Sequence, residues 1–205
     1  MNVIPVPGQG SAAGRDVRRD AAVRPSAWSK GVFRTLALLT LVAAVVIVSA
    51  SETASALLPL ALVFLLGVGG WLAVIDVRTH LLPNWLIFPS IAVVAVLLAL
   101  QWASTGNGEP VLRAGICAAV TFVVYLAMSL GGSLGQGDVK LGLLLGLALG
   151  WAGWSAALAG PVIGFVLGGL VALVLLARGR GRSSHLAFGP YLIAGALIAA
   201  VQHFL

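Results

Sequence analysis

The sequence predicts an all-α membrane protein, a polytopic helical bundle of about seven transmembrane helices in which the last six form one core. Three observations carry this expectation. The 205 residues are 60% hydrophobic and only 9% charged, more apolar surface than a soluble domain can hide. The apolar residues fall into successive runs of roughly one bilayer crossing, about 20 residues each. The basic residues gather on alternate connections between those runs, the asymmetry that orients helices in a membrane.

Residues 1–30 are polar, rich in Gly, Pro and Arg, and lack apolar periodicity, so they read as a disordered cytoplasmic tail. The first apolar run covers 33–50, and residues 31–56 are read as a signal anchor with its outside loop. That run is longer than the ~7–15 residues of a secretory hydrophobic core, which favours an uncleaved anchor. The small residues Ala50-Ser51 and Ala54-Ser55-Ala56 resemble a signal-peptidase site and leave cleavage as the alternative.

The core domain is expected over 57–205, with further spans at 57–75, 85–102 and 111–130. Residues 141–177 carry no charge and are too many for one helix. Gly150-Trp151-Ala152-Gly153-Trp154 supplies a turn with interfacial tryptophans and divides them into two spans. The last span is 187–204. Arg15, Arg18, Arg19, Arg24, Lys30 and Arg34 place the N-terminus in the cytoplasm, which leaves the C-terminus outside. The loops Asp76 to His80, Gly131 to Lys140 and Arg178 to His185 then also lie inside. Glu52, Glu109, Trp151 and Trp154 fall outside, and Arg113 is the one misplaced base. Orientation thus accounts for the basic clusters, including Arg178, Arg180 and Arg182, without a nucleic-acid partner; the bilayer is the expected surroundings.

Two carboxylates stand out on this map. Asp76 ends one span and Asp138 begins another, both at cytoplasmic helix mouths. A charge at the edge of hydrocarbon is costly unless it is paired or used. Asp76 opens the segment Asp76-Val77-Arg78-Thr79-His80-Leu81-Leu82-Pro83-Asn84, in which Pro83 and Asn84 are ordinary choices for a helix start and its cap. Asp138 closes Gly135-Gln136-Gly137-Asp138, where glycines permit a sharp turn and close backbone approach. Two carboxylates within a few ångströms do not both ionise easily, so one serves as acid and the other as base. Cys117 is the only cysteine, which excludes an intrachain disulfide and any multi-cysteine zinc site. His80, His185 and His203 are isolated and read as interfacial polar residues, so neither metal nor cofactor is expected.

These residues resemble a known family. Asp76 with Arg78, then Leu82-Pro83-Asn84, is similar to the first active-site motif of type IV prepilin peptidases. Gly135-Gln136-Gly137-Asp138-Val139-Lys140 is similar to their second, and Phe188-Gly189-Pro190 to a late segment of the same family. The three occur in the family's order, and Leu82 stands where the family usually has Ile. The resemblance implies a GxGD-type membrane aspartic endopeptidase that removes the leader of prepilin-like proteins, with Asp76 and Asp138 as its catalytic pair. It also implies that Arg78, Pro83, Asn84, Gly135, Gly137, Lys140, Gly189 and Pro190 bind substrate or shape the site. Larger members carry a cytosolic, cysteine-bearing domain that methylates the new N-terminus. Here residues 51–56 alone separate the first two spans, so the short form without methyl transfer is expected.

Two rivals stand beside it. A proton- or cation-coupled transporter would use both aspartates, and two three-helix halves of opposite topology suit an inverted repeat. Such repeats would place the acids equivalently, whereas Asp76 ends its helix and Asp138 begins its own. A structural scaffold of a secretion machine explains the spans and neither aspartate.

Overall fold

A computed structural model describes residues 56–79, 82–132, 134–178 and 187–202, besides the isolated positions Gly31 and Thr40. Six helices are described: α1 (Leu57–Thr79), α2 (Asn84–Thr105), α3 (Glu109–Leu130), α4 (Gln136–Ala152), α5 (Trp154–Ala177) and α6 (Gly189–Gln202). Four of them, α1, α2, α3 and α5, are long and apolar enough to cross a membrane. The protein is a multi-pass helical membrane protein. The tail, the anchor at 33–50 apart from Thr40, and the three histidines lie outside the described residues.

The helices follow the apolar runs with one informative shift. α1 was expected to stop at residue 75 and runs to Thr79, so Asp76 sits within its last turn and not at its end. The long uncharged block divides at Gly153, as the Gly–Trp cluster suggested. α4 and α6 are short, 17 and 14 residues. At 1.5 Å per residue, α4 covers about 26 Å, less than a full crossing with headgroups. Its N-terminus, which bears Asp138, therefore need not reach the membrane surface.

α4 is the central helix, and most of its residues are buried. Small residues explain how its neighbours come so close, since helices in lipid gain mainly by packing. Gly142, Gly146 and Gly150 form one face of α4 and lie against α3. A methyl at Gly146 would come within 2.9 Å of the Ala118 Cα, and one at Gly150 within 2.8 Å of the Ala114 Cα. At Gly142 the neighbour is the Tyr125 ring. α5 repeats the device against α6: Gly160, Gly164 and Gly168 meet Ala196, Leu192 and Phe188, and Gly195 fits back between Gly160 and Gly164. Two glycine-faced hairpins, α3–α4 and α5–α6, result.

The C-terminal end of α4 explains one expected feature and corrects another. Arg113, a base on the outside by charge pattern, has a structural task. Its Nε and one terminal nitrogen donate to the Gly150 and Trp151 carbonyls at 2.7 and 2.9 Å, and the other nitrogen pairs with Glu109. These are C-terminal carbonyls of α4, left without helical partners and favourable to a cation. Trp151 is not an exposed interfacial residue. It lies on the inward side of α4, 2% exposed, and its indole donates to Gln101 of α2, as a buried indole requires. Only Trp154 of the pair faces outward.

Candidate active site

Asp76 and Asp138 are the only buried charged side chains among the described residues, 5% and 7% exposed. Their separate helices bring them to one place. Asp76 comes from the last turn of α1, and its Oδ2 accepts the backbone N–H of Gly189 at 3.0 Å. That amide opens α6, so the carboxylate meets unsatisfied amides and the positive end of a helix dipole. Asp138 lies in the first turn of α4 and has the same advantage from its own helix. Its N–H donates to the Gly135 carbonyl at 3.1 Å, and its Oδ2 lies close against Gly135. Helix N-termini thus explain how two acids are accommodated within apolar surroundings.

Gly189 shows that the two carboxylates converge. A methyl group at that residue would lie 2.7 Å from Asp76 Oδ2 and 3.6 Å from Asp138 Oδ1. Both acids therefore border the same small volume, which only hydrogen leaves open. Among the described residues no group of three His, Cys, Asp or Glu forms around them. The chemistry such a pair can perform is proton transfer to and from a third molecule held between them.

The sequence profile of the type IV leader peptidase family matches residues 63–177, over half of the chain and inclusive of both aspartates. The protein belongs to the type IV leader peptidase family. No curated protein and no solved structure matches it. As a member of this leader peptidase family it is a peptidase, and the bilayer is its environment. The matched stretch ends at the last residue of α5, so Gly189 reaches the two aspartates from beyond it.

The other expected site residues divide into two sets. Beside the carboxylates are Gly135, Gly137 and Gly189; Pro83, Asn84, Lys140 and Pro190 lie on the stretches of chain that follow Asp76, Asp138 and Gly189. Gly137 is not a turn residue: it lies inside the first turn of α4, and its missing side chain makes room for Leu82, whose Cβ would be 2.9 Å from a methyl there. The residue that does need glycine for its backbone is Gly132, with φ +74°. Pro83 is the residue before α2, with φ −74° and ψ 127°, and its carbonyl accepts the Leu86 and Ile87 amides. Asn84 was expected to cap that helix. It is the first helical residue, and its Oδ1 instead accepts Lys140 Nζ of α4 at 2.7 Å. Pro190, second in α6, has no N–H to leave unsatisfied at a helix start. Arg78 is not brought to the site. Two positions beyond Asp76, it points about 200° round the helix and is exposed.

Sequence reasoning missed an aromatic row beside the two aspartates. Tyr125 is buried against Gly142, one turn along α4 from Asp138 and within electrostatic range of it. Its ring meets Phe165 edge-on at 5.4 Å, Phe165 meets Phe188 at 5.4 Å, and Phe188 meets Tyr191 at 6.3 Å. The row therefore leads from the helix of Asp138 to the residue before Gly189. No local signal distinguishes Tyr125 or Phe165 from other apolar span residues.

Proposed function

We propose that the protein is an aspartic endopeptidase that cuts the leader from type IV prepilin-like proteins, with Asp76 and Asp138 as its catalytic pair. The convergence of both carboxylates on Gly189 is the observation that supports this reading most. One carboxylate, ionised, takes a proton from the attacking water while the other, protonated, donates toward the peptide carbonyl oxygen. Collapse of the tetrahedral intermediate returns a proton to the leaving amine, and no acyl-enzyme forms. Gly135, Gly137, Gly189 and Pro190 shape the space around the pair. The reaction needs no cofactor, and the short form carries no methyl transfer.

The depth of the dyad selects the bond. By the charge pattern, both acids lie at the cytoplasmic boundary, with the N-terminus inside. A substrate with a short basic leader inside and an apolar helix in the bilayer presents its leader–helix junction there. Helical carbonyls are held in the hydrogen-bonded ladder, so that junction must unwind before water attacks. Gly ahead of the bond weakens the helix by about 1 kcal/mol relative to Ala. It also brings no side chain into a volume that already excludes a methyl at Gly189.

Two experiments test this reading. Purified protein in nanodiscs is given a prepilin-like substrate, and the product N-terminus is read by mass spectrometry. Cleavage is expected on the C-terminal side of the Gly, with an unmethylated product even when S-adenosylmethionine is present. A Gly→Val substrate should be cut about tenfold more slowly or worse; helix propensity separates the two by only tenths of a kcal/mol, so the loss comes from crowding that misplaces the bond. Equal rates would show that the site does not depend on a small residue. Separately, in a Cys117→Ala background, cysteines at Ser133 and Ser183 should react with an impermeant reagent from the cytoplasm, and one at Thr105 from outside. Labelling of the 133 and 105 positions from one side would end this orientation.

A further inference from the structure

The segment Leu82-Pro83-Asn84 lies along the first turns of α4 and touches it twice. Leu82 fills the space left by Gly137, with its Cβ, Cδ1 and Cγ at 2.9, 3.1 and 3.2 Å from where a methyl would be. Asn84 Oδ1 accepts Lys140 Nζ at 2.7 Å, and the same ammonium stands 5.8 Å over the Phe88 ring of α2. The spacings explain the double contact. Pro83 is extended, so residues 82 and 84 point to the same side. Residues 137 and 140 are three apart on a helix and share a face.

Each contact joins the two aspartate-bearing stretches of the chain. Leu82 follows Asp76 by six residues, and Gly137 immediately precedes Asp138. We infer that the Leu82–Gly137 and Asn84–Lys140 contacts form a two-point clamp that sets the spacing of the carboxylate pair, and that Lys140 is a positioning residue and not a substrate-binding one. This rests on the aspartic reading of Asp76 and Asp138. Lys140 belongs to the clamp because its ammonium is held by α2 on both sides, by an amide oxygen and by an aromatic face. The pair is exposed, so breaking it leaves no buried polar atom behind. Its effect is on geometry: a displacement of about 1 Å between reacting groups lowers rates by up to a hundredfold.

A double-mutant cycle on the full chain in nanodiscs tests the clamp, with a synthetic peptide of basic leader, Gly and apolar helix as substrate. Lys140→Met and Asn84→Leu should each lower kcat about tenfold with KM within about twofold, and the double variant should lose no more than either alone. Lys140→Arg and Asn84→Asp, which keep donor and acceptor, should recover to within about threefold of the parent. Losses that multiply to about a hundredfold, or a change carried by KM, would overturn the clamp and assign Lys140 to substrate. Asp76→Asn serves as the independent control: if it cleaves normally the aspartic reading fails, whatever the cycle shows. A second measurement needs no substrate. In a Cys117→Ala, Asp138→Cys protein, Lys140→Met should speed thiol labelling at 138 about tenfold by loosening the joint. An unchanged labelling rate counts against the clamp.

Discussion

Asp76→Asn and Asp138→Asn should each lower cleavage by about a thousandfold or more, within the range removed when a positioned acid or base is lost. Asn nearly matches Asp in shape, and at residue 76 its carbonyl oxygen still accepts the Gly189 amide. What it lacks is the ability to hold or take up the proton. Neither variant should fail to insert, because each removes a potential charge from buried surroundings where charge is costly. Two controls separate chemistry from fold. Glu109→Gln alters only the outer contact with Arg113, and Cys117→Ala removes a thiol buried away from the carboxylates, so both should cleave at close to the parent rate. Rates are compared at equal amounts of inserted protein. A rate near the parent's for either Asp→Asn variant would leave the dyad without a catalytic role.

Gly189→Ala should be nearly as damaging, for a reason unrelated to acidity. Its new methyl would lie 3.3 Å from Asp76 Cγ and 2.7 Å from its Oδ2, the latter closer than real Cβ atoms approach. Something must move, and what lies nearest is the carboxylate. A displacement of about 1 Å costs up to a hundredfold in rate, which is the loss expected here. Stability should fall by no more than about 1–3 kcal/mol, the usual cost of forcing an extra methyl into a packed site. Gly169→Ala supplies the comparison: it lies in α5 with open space around it and should leave cleavage unaltered. Retained cleavage in Gly189→Ala would mean that the two carboxylates do not share the volume beside residue 189 during the reaction.

The sequence by itself determined where the six described helices fall, the break at Gly153 and the two aspartates worth attention. Each follows from a local property: the length of an apolar run, a glycine–tryptophan cluster, or a charge where hydrocarbon begins. Even the third part of the site was visible as Phe188-Gly189-Pro190, though only as a pattern of residues without a role. Tertiary structure alone decided the partners. Arg113 reads as a misplaced base until the α4 carbonyls appear, 37 and 38 positions away. Asn84 reads as a cap until Lys140 is found across 56 positions, and Trp151 as an interfacial ring until Gln101 is found across 50. The amide of Gly189 is an ordinary helix start until it meets Asp76 across 113. In each case the residue's own neighbourhood offers a satisfactory explanation, and the one realised depends on which helix the bundle packs against it. For Gly189, close packing on glycine decides it, because the missing side chain lets its backbone come within hydrogen-bonding distance of the Asp76 carboxylate.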